Sequence, residues 1–333
     1  MDDVEHMRRA MALADTVRVS TAPNPWVGSV VVPTSADPTT AAPSVFEGAT
    51  APPGGPHAEV TALAHAGQAA RGATLYATLE PCAHQGRTPP CVDAIIEAGI
   101  ARVVIGIEDP DRRVAGRGVA ALRAAGIEVT EGVAADEVAE QLAPYVKHRS
   151  TGRPWVVLKM AASLDGRTAA PDGTSRWITG EVARRDVHRL RAHSDAVLVG
   201  AGTVRADDPE LTVRLGDADD AQPLRVVLGK APEGAKVHPA LELEGDLRAV
   251  LDELGRLGVL QLLVEGGATV AHDFHAAGLV DRYVLYLAPV LFGGDDARPL
   301  FAGPGAGTLE DVWRGRLVSV EQLGEDLRVE VAA

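Results

Sequence analysis

The sequence predicts an α/β protein built as two domains. Three observations carry this. The chain has 333 residues, more than one domain usually holds. Short apolar runs of strand composition alternate with segments of helical period. A Thr-Gly-Arg-Pro stretch at 151–154 interrupts the alternation, which then restarts. The domains are placed at 1–149 and 150–333.

Taken in order, residues 4–18 space Val4, Met7, Met11 and Leu13 as one helix face. Residues 27–32 form a strand after the Asn24-Pro25 turn. Residues 33–56, rich in Pro, Ala, Thr and Gly, are expected to be a loop. Helices follow at 57–66, 91–98, 119–125 and 135–149. Strands lie at 74–79, 102–107 and 128–132, giving a three-layer domain on a mixed or parallel sheet. In the second half strands are expected at 155–161, 196–199, 224–228, 260–264, 282–287 and 325–331. Helices are expected there at 181–193, 247–257 and 268–277.

Composition narrows the function. Hydrophobic residues make up 46% of the chain, enough for a core in each half. The net charge of −14 gives no general attraction for nucleic acid or anionic membranes. An anionic substrate therefore needs a local cluster of Arg or Lys. Cys82 and Cys91 are the two cysteines, too few for a disulfide framework, which points to a reducing compartment. No stretch reaches the roughly 18 apolar residues of a membrane helix, and the charged residues 1–9 open no signal-peptide core. A cytoplasmic protein is expected.

The strongest chemical signal is His57-Ala58-Glu59, followed by Pro81-Cys82 and Pro90-Cys91. Catalytic zinc takes about three protein ligands and keeps one position for water. One imidazole and two thiolates meet that count. Glu59, two residues after His57, can stand beside the metal without binding it. Zinc brings the pKa of its water toward roughly 7, and a neighbouring carboxylate can then carry protons to the substrate. Zinc deaminases of nucleobases use His-x-Glu with a later Pro-Cys…Cys. Eight residues separate the cysteines here, a wider gap than that signature has. Two other readings stay open: a closed structural site with His84 as fourth ligand, and two ordinary buried cysteines.

The run Thr-Leu-Glu-Pro-Cys-Ala-His-Gln-Gly-Arg-Thr-Pro-Pro-Cys at 78–91 resembles the deaminase motif of the RibD family. These are bifunctional riboflavin biosynthesis enzymes, a diaminohydroxyphosphoribosylaminopyrimidine deaminase joined to an aminouracil phosphate reductase. The wide cysteine gap is that family's own variant. Pro-Asn-Pro-Trp-Val-Gly at 23–28 and Val-Ala-Gly-Arg-Gly at 114–118 are similar to other parts of the same domain. The resemblance implies a cytidine-deaminase-like first domain with zinc on His57, Cys82 and Cys91, and Glu59 as proton shuttle. It implies that Asn24 binds the pyrimidine and that His84 and Arg87 line the phosphate-bearing side. A turn-capping Asn and surface cations are the plainer readings. One departure is Gly48-Ala49-Thr50, where the family usually carries Gly-aromatic-His.

In the second half, glycine-rich turns at 199–203 and 264–269 follow strands, a setting that suits phosphate binding. Neither is a complete dinucleotide fingerprint. The segments at 159–167, 175–179, 202–209 and 264–269 are similar to the reductase motifs of the same family. That resemblance implies a dihydrofolate-reductase-like α/β domain using NADPH. Cofactor contacts would fall on Ala161, Trp177, Thr203, Asp207 and the stretch Gly267, Ala268, Thr269, Val270, Ala271, His272 and Asp273. Substrate contacts would fall on Ser175, Arg191, Leu211, Arg214 and Glu265, with Arg191 and Arg214 as local positive charge for a phosphate. Lys159 and Asp165 are expected near the site without a chemical step.

Two departures fall here. Residues 240–246 make a short connection where the family has an extra strand and loop, and Gly229-Lys230 replaces Asp-Ser. Lys230 is a candidate for the NADPH 2′-phosphate. The expected function is zinc-dependent deamination of a phosphorylated diaminopyrimidine, followed by NADPH-dependent reduction of its ribosyl group to ribityl. Three alternatives are a deaminase with an impaired reductase half, a zinc-stabilised binding protein, and a nucleic-acid deaminase. The acidic charge opposes the last. The resemblance also implies a homodimer or homotetramer.

Overall fold

The computed structural model describes residues 1–34, 45–86, 88–111, 114–216 and 222–333. It divides into two compact units, Met1–Gly152 and Arg153–Ala333.

Unit 1 starts with α1 (Asp3–Val17), which Asp2 and Glu5 close in a capping box. Strand β1 (Gly28–Val32) pairs antiparallel with β2 (Phe46–Ala49) and with β3 (Thr74–Leu79). β4 (Arg102–Ile107) and β5 (Glu128–Glu131) then add in parallel. The order is β2-β1-β3-β4-β5. Helices α2 (Ala58–Ala66), α3 (Cys91–Glu97) and α4 (Arg117–Ala124) cover one face. Strand residues Leu75, Ala77, Val103 and Ile105 pack beneath them in one core cluster. The alternate residues Tyr76 and Val104 are also buried, as the two-residue period of a strand requires. On that side the Tyr76 hydroxyl donates to Asp3 of α1 at 2.7 Å. A β-carbon at Gly28 would lie 1.8 Å from the Ala10 carbonyl oxygen, so only glycine lets α1 lie on β1.

Two expectations for this unit are corrected. The 33–56 stretch is not a loop throughout, since Phe46–Ala49 is an edge strand; residues 35–44 lie outside the described residues. Two helices replace the one expected over 135–149, α5 (Ala135–Gln141) and α6 (Ala143–Thr151). Pro144 explains the break, because it has no N–H to donate and sits in the first turn of α6.

Unit 2 is an eight-stranded sheet. Its strands in chain order are β6 (Trp155–Ser163), β8 (Ala196–Gly200), β9 (Leu224–Leu228), β10 (Leu241–Leu243), β11 (Gln261–Val264), β12 (Arg282–Ala288), β14 (Arg316–Leu323) and β15 (Asp326–Ala332). Their order across the sheet is β10-β9-β8-β11-β6-β12-β15-β14. It is parallel from β10 to β12 and ends in the antiparallel β15 and β14. A separate ribbon joins β7 (Arg167–Ala169) to β13 (Arg298–Pro299).

Helices α9 (Leu247–Arg256) and α10 (Ala268–Ala276) pack with Val156, Leu158, Leu198 and Leu262. Helices α7 (Glu181–Ala192) and α8 (Ala201–Asp207) pack with Val157, Val197, Val227 and Leu263 on the other face. Burial on both faces explains why the central strands read as continuous apolar runs.

The 240–246 connection, expected to lack a strand, supplies β10, parallel to β9. Sequence reasoning also missed α8, β7, β13 and β14. For β14 the signal was present: Leu323-Gly324-Glu325-Asp326 is a tight hairpin turn with Gly324 at φ 69°.

Candidate active sites

In unit 1 three chain segments converge. His57 precedes α2 as its N-cap, Cys82 follows β3, and Cys91 is the first residue of α3. His57 Nδ1 lies 3.1 Å from Cys91 Sγ and 3.5 Å from Cys82 Sγ, and the two sulfurs are 3.5 Å apart. Tetrahedral zinc, with bonds of about 2.3 Å to sulfur and about 2.0 Å to nitrogen, sets its ligand atoms about 3.5–3.8 Å apart. The triangle is slightly tighter than that, and its donor set fits the ion. Among the described residues these three form the compact group of potential metal ligands. His84 stands apart from it on the cavity wall, so the closed four-ligand site gains no fourth donor there. His57 Nε2 is 3.4 Å from the Thr88 hydroxyl, a contact of the kind that orients a metal-binding imidazole.

Electrostatics single out Cys82 as the thiolate of the triangle. Contact with Cys91, and then with His57, pulls the Cys82 thiol down to about 4. Contact with Cys82, together with burial, pushes the Cys91 thiol up. The hydrogen bond to Cys82 raises His57. Glu59 lies in the first turn of α2 and is 4% exposed. Burial, helped by the charge on Cys82, pushes its carboxyl up to about 7. A carboxyl poised there can both take and give a proton near neutrality.

Glu59, His57 and Cys82 line a cavity of about 590 Å³ together with Asn24 and His84. Arg87 lies outside the described residues. Thr50, at the position where the family carries histidine, also lines the cavity. Its hydroxyl is spent on Val27, where it meets the N–H at 3.1 Å and the carbonyl at 3.3 Å. Sequence reasoning missed Glu80, Asp109, Tyr145 and Arg149 on the same wall. Asp109 was findable as a polar residue just past the carboxyl end of a parallel strand, where α/β sheets place ligands.

In unit 2 a cavity of about 770 Å³ opens at the carboxyl end of β6 and β11. Of the expected residues it gathers Ala161, Trp177, Asp207, Ser175, Arg191, Leu211, Arg214 and Glu265, and with them Lys159. Its lining holds six Arg and Lys side chains against four carboxylates, a positive excess inside an acidic chain. The Glu265 side chain is 8% exposed. Arg191 donates to it from Nε at 2.6 Å and from Nη2 at 3.0 Å, and Lys159 Nζ lies 3.7 Å away. Burial works against the carboxylate, but Arg191 and then Lys159 overcome it and hold Glu265 down at about 2.

Arg191, expected as a substrate contact, is thus committed to Glu265 and to the Thr212 carbonyl at 3.0 Å. Arg214 is exposed and pairs with Glu210 at 2.5 Å. Arg176, Arg184 and Lys236 complete the cationic lining, and sequence reasoning missed all three. Leu211, at φ 54°, holds a left-handed conformation that such a side chain rarely adopts.

Gly267 is the N-cap of α10, and a β-carbon on it would sit 3.4 Å from the Thr203 hydroxyl. The first N–H groups of a helix have no partner within it, so the turn from Gly267 through Ala268, Thr269 and Val270 can receive a phosphate. Further along, Ala271 is buried in the core and His272 packs against Gly303. Asp273 is exposed one turn down. Asp165 does not line the cavity; it accepts the N–H groups of Phe292 and Gly293 at 3.0 and 2.8 Å. Lys230 pairs with Glu242 of β10 at 3.2 Å.

A three-ligand metal centre with an adjacent buried glutamate, on a mixed sheet, defines a zinc-dependent deaminase. A largely parallel sheet with a glycine turn and a cationic cavity, later in the chain, defines a second site suited to phosphate-bearing ligands. The RibD C-terminal domain family matches residues 154–329, and the cytidine and deoxycytidylate deaminase zinc-binding region matches residues 1–107.

The chain belongs to the RibD family of riboflavin biosynthesis. It is 40% identical to riboflavin biosynthesis protein RibD of Escherichia coli over 98% of both chains. It is 43% identical to that of Mycobacterium tuberculosis over 100% of this chain and 99% of the other. Among solved structures, Acinetobacter baumannii RibD superposes with a TM-score of 0.91 at 40% identity, covering 99% of this chain and 98% of that one. A Thermotoga maritima protein described as diaminohydroxyphosphoribosylaminopyrimidine deaminase/5-amino-6-(5-phosphoribosylamino)uracil reductase superposes at 0.85 with 35% identity, covering 99% and 98%. No feature of the described residues favours an impaired reductase half.

Proposed function

We propose that unit 1 hydrolytically deaminates 2,5-diamino-6-ribosylamino-4(3H)-pyrimidinone 5′-phosphate. Unit 2 then reduces the ribosyl group of the product to ribityl with NADPH. The observation that carries the first step is the His57–Cys82–Cys91 triangle with buried Glu59 in one cavity. His57, Cys82 and Cys91 would hold zinc, which would bring the pKa of a bound water toward roughly 7. Glu59 takes the proton of the attacking water, returns it to the ring nitrogen and delivers the second to the amine. Ammonia leaves and a ring carbonyl remains. Asn24 and His84, on the cavity wall, orient the pyrimidine and its ribosyl phosphate.

In unit 2 NADPH, when bound, would supply the hydride for ribose C1′. The chain supplies positioning: the Gly267 turn for the cofactor phosphates, Ala161 and Trp177 beside the nicotinamide, and the Lys159–Glu265–Arg191 cluster for the sugar. Ser175 and Arg214 face the same cavity. Two thiolate ligands suit a reducing compartment, in keeping with reaction in the cytoplasm.

Chelation tests the metal assignment. Purified protein should carry one zinc per chain. Removal by a strong chelator should abolish ammonia release and leave reduction of the supplied aminouracil phosphate intact, and zinc should restore the first activity. Ammonia release that persists without metal would contradict the reading.

The chain also self-associates. Edge strand β14 exposes Leu317 and Val320, and an unpaired apolar edge is a template for a second copy. Light scattering should report a dimer or larger for the native chain and a smaller species for Leu317→Lys/Val320→Lys. A native monomer at micromolar concentration would contradict this.

A further inference from the structure

The buried carboxylate of Glu80 takes no part in the proton transfers. Glu80 directly follows β3, two residues before Cys82, and is 3% exposed. Its Oε1 accepts the N–H groups of Gly118 at 2.8 Å and Val119 at 3.1 Å. Its Oε2 accepts those of Gly116 at 3.0 Å and Asp109 at 3.2 Å. Four backbone dipoles thus solvate a charge that burial would otherwise make costly.

Gly118 and Val119 belong to the first turn of α4, whose N-cap, Gly116, offers no side chain. Glu80 therefore caps α4 from a neighbouring strand and places negative charge at the positive end of the helix. Asp109, which Glu80 holds directly, lines the cavity wall, and so do Asp111 and Val114. Asp109 is braced in turn by the Tyr145 hydroxyl at 3.2 Å and by the Asp111 N–H at 2.8 Å. A β-carbon at Gly118 would lie 2.0 Å from the Pro81 carbonyl oxygen. The wall is therefore pressed directly onto the segment that delivers Cys82.

We propose that Glu80 is a positioning residue for deamination: its carboxylate fixes Asp109 and the first turn of α4 against the metal-ligand segment, and so holds the cavity wall in place against the bound pyrimidine nucleotide. The proposal rests on the deaminase reading of unit 1. In Glu80→Gln the amide NH₂ faces backbone N–H groups that the carboxylate accepted, so the wall loosens while the metal ligands remain.

Steady-state deamination by full-length Glu80→Gln should show KM for the diamino substrate raised about tenfold to a hundredfold, the range that loss of charged hydrogen bonds gives. Turnover should stay near wild type, zinc should stay at one per chain, and reduction by unit 2 should be unchanged. Gly118→Ala, whose β-carbon would meet the Pro81 carbonyl oxygen at 2.0 Å and the Glu80 carboxylate at 3.0 Å, displaces the same wall while keeping Glu80 itself; it should raise KM in the same direction, and it decides the matter if Glu80→Gln fails to fold. Amide exchange at 109 and 116–119 should accelerate in Glu80→Gln. Faster exchange there with KM unchanged would overturn the proposal and leave Glu80 as a helix cap alone. Loss of zinc would overturn it too, by assigning Glu80 to the metal site. Wild-type protein that binds zinc yet releases no ammonia would overturn the deaminase reading and this proposal with it.

Discussion

Glu59→Gln is expected to lower ammonia release by about a hundredfold to ten-thousandfold, the range that positioned acid–base groups contribute. The substitution keeps the volume of a side chain that is 4% exposed, so unit 1 should fold and the three metal ligands should stay in place. What it removes is the group that receives a proton from water and returns it. Burial holds the carboxyl at about 7, where both transfers are near balance. Reduction of supplied aminouracil phosphate should be unaffected. Zinc analysis beside the ammonia assay separates lost chemistry from lost metal. A variant that holds zinc and retains wild-type ammonia release would remove Glu59 from the mechanism.

The second large effect is expected in unit 2. Arg191→Met should leave the Glu265 carboxylate buried with Lys159 alone, 3.7 Å away. Breaking one side of such a pair costs about 3–5 kcal/mol, so unit 2 should melt at lower temperature and NADPH consumption should fall steeply. Arg191→Met combined with Glu265→Leu should recover much of the stability and none of the reduction, because the cavity then lacks both charged groups. The sign with pH follows from the same contact. Glu265 is held at about 2 against an ordinary value of 4.5, so its ionised form stabilises the fold. That stability is complete above pH 4.5 and is lost as pH falls toward 2. Differential scanning calorimetry of wild type and Arg191→Met between those limits checks both statements. Equal stability of the two proteins at neutral pH would contradict them.

The legible parts of this chain were those that local chemistry dictates. Strands 74–79, 102–107 and 224–228 stand where their apolar runs place them. The metal triangle was readable because ligand types at set positions in the chain have few other uses. What escaped depends on contacts between distant segments. Nothing local in Arg191 says that Glu265 will hold it rather than a phosphate. Glu80 reads as one more residue beside a cysteine until α4 is seen to lack its own cap. Residues 46–49 read as loop because a four-residue edge strand gains its pairing from β1, not from its own pattern. β10 likewise exists because β9 offers it an edge, which length alone could not reveal.

The central claim is that two chemically distinct centres in one chain act in sequence. Following NADPH oxidation by absorbance, with the diamino substrate as sole starting material, tests it most directly. The account predicts oxidation by wild type, none by Glu59→Gln, and full recovery by Glu59→Gln once the deaminated compound is supplied. NADPH oxidation by Glu59→Gln from the diamino substrate at the wild-type rate would contradict it, because reduction would then not depend on the metal centre's product.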